Sequence, residues 1–206
     1  MGTQPIVNLP TILCLGPRQS GKTHLLSSLQ LSGRITNVSH SVQTIGTNIF
    51  TIKLLDGAQK QSSTSVATAS HCGKQKTTAN ASFRRSMKNP SVTIMEIGGM
   101  MAPMWTNYLN NVSKILYVID TSNLCQISAA GVLLYSLLAD PRLQHTKFLL
   151  ILTKMDLAYR QMRNEMLLMI HFEKLKKQIR QSIQIVETSS ITCSGHQKIL
   201  EWLSLP

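Results

Sequence analysis

The stretch GPRQSGKT, residues 16–23, decides the fold of this chain. It spaces Gly16, Gly21, Lys22 and Thr23 in the G-x-x-x-x-G-K-S/T pattern, whose main-chain N–H groups cradle the phosphates of a nucleotide. The apolar run PTILCL precedes it and the run KTHLLSSLQ follows, so the segment joins a strand to the start of a helix. A helix N-terminus presents unpaired N–H groups and the positive end of the helix dipole. Residues 16–23, called the phosphate loop below, are therefore a predicted nucleotide site.

Individual side chains of the phosphate loop have predicted roles. Lys22 is expected to reach the β and γ phosphates, and the Thr23 hydroxyl is expected to bind Mg²⁺. Gly16, Ser20 and Gly21 complete the predicted phosphate contacts. The alternative for Lys22, a surface lysine at a helix start, is disfavoured because both of its neighbours also fit the pattern.

Short β-rich runs alternate with longer amphipathic runs along the chain. Apolar strands separated by helices indicate a mainly parallel sheet covered on both faces, because parallel neighbours need long crossover connections. The predicted strands are PTILCLG, TNIFTIKLL, SVTIMEIGG, KILYVID, KFLLILT and IQIVETS. The predicted helical runs are KTHLLSSLQL, MWTNYLNNV, QISAAGVLLYSLLAD, a long stretch from about 159 to 180, and HQKILEWL. We expect an α/β fold with a mostly parallel six-stranded sheet and helices on both faces, formed by a single domain over residues 1–206.

A basic segment interrupts this pattern at residues 57–91. Ser and Thr fill 11 of its positions and apolar periodicity disappears, so we interpret it as a flexible insertion that cannot bury enough surface to offset its ordering entropy. Its six Lys and Arg residues, with no acidic residue, account for half of the formal charge of +12. A solvated insertion is the simpler interpretation, and a patch for acidic lipid, nucleic acid or an acidic protein is the alternative. Because the remaining charge is ordinary, nucleic-acid binding is not expected.

Cysteine spacing and hydropathy limit the class of protein. Cys14, Cys72, Cys125 and Cys193 lie far apart and form no C-x-x-C pair, which argues against a zinc site or a disulfide framework. No apolar run approaches the roughly 20 residues that span a bilayer. Lipid anchoring at Gly2 is not expected either, because position 6 lacks the Ser or Thr that myristoylation favours. We expect a cytoplasmic protein with no transmembrane segment.

The run TKMD, residues 153–156, predicts which base is bound. It ends the apolar run KFLLILT and resembles the N-K-x-D element with which small GTPases read guanine. The resemblance implies that Asp156 accepts from the guanine N1–H and amine and that Lys154 packs along the ring. A wrong base would leave a buried carboxylate unpaired, which is costly. Thr153 replaces the usual Asn and is expected to weaken the link to the phosphate loop. A polar turn after a strand is the alternative for TKMD taken alone.

A third element follows the last predicted strand. ETSSITCSG, residues 187–195, resembles the S-A-K loop of the same GTPases, with Ser189 and Ser190 at the positions whose backbone faces guanine O6. Alone this is a weak signal, since Ser/Thr-rich turns are common. The order of phosphate loop, TKMD and SS before a final helix resembles the G domain of a P-loop NTPase, and implies GTP or GDP with Mg²⁺ as the ligands.

Two further stretches resemble the switches of ADP-ribosylation-factor-like GTPases. QTIGTN, residues 43–48, is similar to their switch I, and EIGGMMAPMWTNYL, residues 96–109, is similar to their switch II. The resemblance implies that Thr44 senses Mg²⁺ and the γ-phosphate, and that Gly99 faces the γ-phosphate. Trp105 and the Tyr three residues later keep the family spacing; core aromatics are the alternative for either residue alone.

Three departures from the family pattern bear on catalysis. Glu96 stands in place of the Asp that usually contacts Mg²⁺ through water, so altered Mg²⁺ affinity is expected. Met100 stands where a Gln orients the attacking water, and a thioether cannot hold that water. The chain is thus at most a slow GTPase. Arg18 either approaches the phosphates or faces solvent. The switch II departures look most like one particular member of this branch.

The leading hypothesis is a GTP-binding regulatory small GTPase. GTP would order both switches into a surface for effector proteins, under control of an exchange factor or a GTPase-activating protein. The resemblance implies work in protein transport, in vesicle traffic or at the cilium. One alternative is a nucleotide-free or non-hydrolysing pseudo-GTPase scaffold. The other is a P-loop kinase acting on a small metabolite, which leaves TKMD and the W-x-x-Y run unexplained.

Overall fold

A computed structural model of the chain describes residues 11–31, 42–54, 90–158 and 160–206. Within these ranges six strands form one sheet in the order β2-β3-β1-β4-β5-β6. Only the β2–β3 pair is antiparallel, and the other neighbours are parallel. The strands are β1 (Ile12–Leu15), β2 (Thr47–Lys53), β3 (Ser91–Ile97), β4 (Lys114–Asp120), β5 (Lys147–Thr153) and β6 (Ile183–Glu187). The predicted mostly parallel six-stranded sheet is confirmed.

Helices cover both faces of this sheet. The longer helices are α1 (Lys22–Gln30), α2 (Ile127–Ala139), α3 (Arg160–Met169), α4 (Phe172–Gln178), α5 (His196–Ser204) and a 3₁₀ helix over Gly99–Tyr108. Helices α1 and α5 pack on one face through residues such as Leu25 and Trp202. Helices α2 to α4 and the 3₁₀ helix pack on the other, through residues such as Leu134 and Trp105. Strand β4 is buried along its whole length, and β5 from its second residue onward, which explains why both have continuous apolar sequences.

Two predicted elements have different boundaries in the structure. The long helix expected from about 159 to 180 is interrupted between α3 and α4 at His171, whose φ of 45° is left-handed. A right-handed helix cannot continue through that conformation. The run MWTNYLNNV contributes the end of the 3₁₀ helix, followed by a turn.

The basic insertion predicted at 57–91 lies almost wholly outside the described residues. Its last residue, Ser91, is the first residue of β3, because the antiparallel pairing with β2 begins there with Lys53. No helix in the described ranges is both long and apolar enough to cross a bilayer.

Candidate functional site

The predicted site residues gather at one edge of the sheet. The phosphate loop follows β1, Glu96 lies near the end of β3, residues 153–156 include the end of β5, and Ser189 follows β6. These strands run parallel, so their carboxyl ends meet at the same edge. Ligands of open α/β sheets bind outside the carboxyl ends of the strands. The topology therefore assembles one site from segments that are far apart in sequence.

The phosphate loop wraps around the Lys22 ammonium. Lys22 is 6% exposed, and its Nζ donates to the main-chain oxygens of Gly16 at 3.0 Å and Pro17 at 2.8 Å, with the Ser20 hydroxyl at 3.4 Å. Burial lowers the pKa of this lysine, whereas electrostatic interaction with the nearby Cys14 and Glu96 acts to raise it. In the described part of the chain the Lys22 ammonium forms no ion pair. A buried cation held only by loop oxygens fits a phosphate ligand.

Glycine is required at the start of the phosphate loop. Gly16 has a φ of 150°, and a Cβ there would lie 2.2 Å from the main-chain oxygen of Val118. Gly21 has a φ of 86° and stands immediately before α1. Both positions therefore need the conformational freedom of glycine, in agreement with the motif spacing.

Three oxygen atoms converge where Mg²⁺ is predicted. The Thr23 hydroxyl donates to Glu96 Oε1 at 2.7 Å, the Thr23 and Thr44 hydroxyl oxygens are 3.1 Å apart, and Thr44 Oγ1 is 3.5 Å from the same carboxylate oxygen. No group of three or more His, Cys, Asp or Glu in the described ranges could hold a metal ion. One carboxylate and two hydroxyls nevertheless form the oxygen-only donor set that Mg²⁺ prefers beside phosphates. Thr23 and Thr44 therefore fit the predicted metal site, and Glu96 joins them.

Switch II begins in contact with both the phosphate loop and switch I. The Gly98 N–H donates to the main-chain oxygen of Gly46 at 3.0 Å. A Cβ at Gly99 would lie 2.5 Å from the main-chain nitrogen of Arg18, so the two backbones touch. The Arg18 guanidinium donates to the Gln43 side chain at 3.2 Å and is exposed. The structure thus brings Gly99 and Thr44 to the cavity that Lys22 and Thr23 line.

The rest of switch II is anchored to the core. The Trp105 indole N–H donates to the main-chain oxygen of Gly98 at 3.3 Å. The Trp105 ring meets Tyr117 edge-to-face with centroids 6.4 Å apart, and the Tyr117 hydroxyl donates to the main-chain oxygen of Ala130 in α2 at 2.7 Å. Near its other end, the 3₁₀ helix is held by Arg142, which donates to the main-chain oxygen of Thr106 at 2.9 Å.

The predicted base-reading residues form a second group. Asp156 Oδ1 accepts from the Ser189 hydroxyl at 2.5 Å, and Ser190 is half-buried in the turn after β6. Thr153, which is buried, donates its hydroxyl to the main-chain oxygen of Ser20 at 2.7 Å. The predicted Thr153, Lys154, Asp156, Ser189 and Ser190 thus lie together, and Thr153 keeps a direct link to the phosphate loop.

Sequence reasoning missed two polar residues of this site. Asp120, at the end of β4, forms a 2.6 Å ion pair with Lys154, and Lys154 has a left-handed φ of 58°. Asn48 in β2 donates to Glu96 Oε2 at 3.4 Å. A polar residue ending the run KILYVID was a usable signal for Asp120, because the ends of neighbouring parallel strands meet.

Comparison with known proteins agrees with this arrangement. The sequence model of the ADP-ribosylation factor family matches residues 55–205, well over half of the chain. The chain belongs to the ADP-ribosylation factor family. The matched stretch contains switch II and both predicted base-reading motifs. The phosphate loop lies before this stretch, so its assignment depends on its own residue spacing and geometry.

One curated relative is human ADP-ribosylation factor-like protein 16. This ADP-ribosylation factor family chain is 33% identical to it over 112 residues, which are 54% of the chain and 57% of the relative. The match therefore spans little more than half the length of that relative.

A solved relative has the same fold. The Arl6 BBS3 small GTPase from Trypanosoma brucei, determined with the bound nucleotide analogue GppNp, superposes with a TM-score of 0.64 over 93% of each chain at 16% identity. At 16% identity, this similarity shows that the two chains share a fold and no more. The predicted G-domain fold of a P-loop NTPase is confirmed.

Proposed function

We propose that this chain is a regulatory switch that binds GTP or GDP with Mg²⁺ and changes its protein-binding surface accordingly. The observation that carries the proposal is the hydrogen-bonded group of Thr23, Thr44 and Glu96. It joins the phosphate loop, switch I and the end of β3 at a single point beside the buried Lys22. A phosphate-bound Mg²⁺ at this point would supply the charge that holds switch I against the phosphate loop.

The base-reading group supports a guanine nucleotide. The Asp156 carboxylate is oriented by the Ser189 hydroxyl and can accept from the two adjacent donors on the Watson–Crick edge of guanine. Adenine presents an acceptor and no amine at those positions, so it would leave the carboxylate unpaired. Lys154, held by Asp120, provides an aliphatic stem that can lie along the purine ring.

Exposed apolar side chains on the switches support a protein partner. Ile45 is 88% exposed and Ile49 is 64% exposed, while Met100 and Met104 are each 56% exposed. Ile49 directly follows switch I in β2, and the other three belong to the two segments that the Gly98–Gly46 hydrogen bond joins, so a change in that junction would change the surface they present. Large apolar residues and methionines are suited to adaptable protein interfaces. We assign effector binding to this surface.

We further propose weak intrinsic hydrolysis, because Met100 offers no group to hold an attacking water. An exchange factor and a GTPase-activating protein would then set the lifetime of each state. Family membership supports a role in intracellular protein transport, including transport to the cilium. We place the protein in the cytoplasm.

The test is the identity of the nucleotide that copurifies with the chain, determined by chromatography after denaturation. Wild type and Lys177→Ala, an exposed lysine of α4, should carry guanine nucleotide, and Lys22→Ala should carry none. Adenine nucleotide in the wild type would favour the metabolite kinase instead. If neither the wild type nor Lys177→Ala carried nucleotide, even after incubation with GDP and Mg²⁺, the scaffold alternative would hold.

A further inference from the structure

The Glu96 carboxylate lacks a cationic partner among the described residues. Its side chain is 1% exposed, and the ion pairs of the described residues use Asp120, Asp140 and Glu187. Lys22 influences it through space while donating its hydrogen bonds to the phosphate loop. A buried carboxylate is costly unless a cation or several hydrogen bonds compensate it. Thr23, Thr44 and Asn48 donate hydrogen bonds to this carboxylate, and a divalent cation beside it would compensate its charge directly.

The spacing around Glu96 matches a face of an octahedral metal site. Ligands at about 2.0–2.1 Å from Mg²⁺, at right angles, are about 2.9 Å from each other. Glu96 Oε1, Thr23 Oγ1 and Thr44 Oγ1 are separated by 2.7, 3.1 and 3.5 Å. Small adjustments would make all three oxygens ligands of one ion.

The other carboxylate oxygen is held away from this triangle. Asn48 is the cross-strand partner of Glu96 in the β2–β3 pair, and its amide donates to Oε2 at 3.4 Å. With one oxygen occupied by an amide donor, Oε1 is the oxygen that faces the two hydroxyls. Such oriented carboxylates are typical of metal ligands.

We propose that Glu96 binds the divalent cation directly through Oε1. An Asp at this position would be one methylene shorter and would reach the cation only through an intervening water. Glu96 thereby replaces a metal-bound water and places its negative charge on the cation itself. The inference rests on the proposed function, since the same ion would also contact the nucleotide phosphates.

The first experiment counts the waters bound to the metal. Mn²⁺ accepts the same oxygen ligands, so the GDP-loaded chain is charged with Mn²⁺, and the broadening of its electron paramagnetic resonance lines in ¹⁷O-water is measured. Glu96→Asp should show one more bound water than the wild type. Glu201→Asp, the same change at an exposed position of α5, should match the wild type. Equal counts in wild type and Glu96→Asp would overturn the inference.

A second measurement needs no variant. The sequence has five glutamates, and Glu96 is the one that lines the cavity with Thr23 and Thr44. After labelling with carboxyl-¹³C glutamate, the Mn²⁺·GDP complex should show a strong ¹³C hyperfine coupling by electron–nuclear double resonance. A wild-type complex that retains GDP without this coupling overturns the direct contact alone. A wild type that retains no GDP overturns both this inference and the proposed function.

Discussion

The Thr153 hydroxyl lies 2.7 Å from the main-chain oxygen of Ser20. This hydrogen bond joins the end of β5, which begins the base-reading motif, to the phosphate loop. Thr153 and Ser20 are both buried, so water cannot readily replace the lost partner if either is changed. The segment proposed to read the base and the segment proposed to hold the phosphates are thus directly joined, with Thr153 in place of the Asn that the family pattern has.

Replacing Thr153 with Val should weaken nucleotide binding. The two side chains have similar shapes, but Val leaves the Ser20 oxygen without its donor, at a cost of about 1–3 kcal/mol. We expect GDP to dissociate about ten times faster at a cost near 1.4 kcal/mol, measured by displacement of a fluorescent GDP analogue. Thr153→Asn, which can still donate, should retain most of the affinity. Identical dissociation rates for Val and wild type would contradict this role.

The Asp156→Asn variant should change the base specificity from guanine to xanthine. An Asn offers one acceptor and one donor, whereas guanine presents two adjacent donors; xanthine carries a carbonyl in place of the amine. The unpaired group should reduce GDP affinity by about tenfold to a hundredfold, from the same 1–3 kcal/mol range, while xanthosine diphosphate gains affinity. Competition titrations measure both, with Asp140→Asn, on the turn that follows α2, as the control. An unchanged GDP-to-XDP preference would refute the assignment of Asp156.

Met100→Gln should increase the rate of GTP hydrolysis. The amide can both donate to and accept from a water molecule, which the thioether cannot do strongly. Single-turnover release of phosphate measures the rate. Met104→Gln is the matched control, because both methionines lie in the same 3₁₀ helix and are 56% exposed. If both variants hydrolysed GTP at the wild-type rate, Met100 would not explain weak hydrolysis.

Stability should fall in mildly acidic solution because of His196. This residue is half-buried, with its Nε2 3.3 Å from the Ser28 hydroxyl, and burial lowers its pKa from the ordinary 6.5. The unfolded chain therefore binds the proton more readily than the folded chain, so the free energy of unfolding decreases as pH falls from 6.5 toward the lowered pKa. Above pH 6.5, His196 is neutral in both the folded and the unfolded chain, so the free energy of unfolding no longer depends on its protonation.

Urea denaturation over a pH series measures this effect. His196→Asn should flatten the curve in that window, and His145→Asn, at an exposed position, should leave it unchanged. If the free energy of unfolding of His196→Asn still fell with pH as steeply as that of the wild type, another group would be the cause of the pH dependence.

The strands and the phosphate loop were predictable because local physics determines them. The interiors of strands β4 and β5 are buried on both faces, so their sequences are apolar between the polar end residues. At Gly16 a Cβ would collide with the main chain of β4, so the spacing of the motif directly reflects backbone geometry.

The remaining features depend on which segments become neighbours. The Asp120–Lys154 pair requires β4 to lie beside β5, and the Asn48–Glu96 contact requires the antiparallel β2–β3 register. No local sequence pattern predicts either of these two contacts. The helix break at His171 escaped prediction for a different reason, since neither Gly nor Pro marks it in the sequence.

The packing of Trp105 against Tyr117 gives the chain an optical reporter. The chain has two tryptophans, and the other, Trp202, lies in α5 with the Lys114 ammonium 5.5 Å from its ring. A Trp202→Phe background would leave Trp105 as the single indole emitter, within switch II, the segment that is proposed to respond to the nucleotide. Its emission could then be followed in real time while nucleotides are exchanged, with no dye attached to protein or ligand.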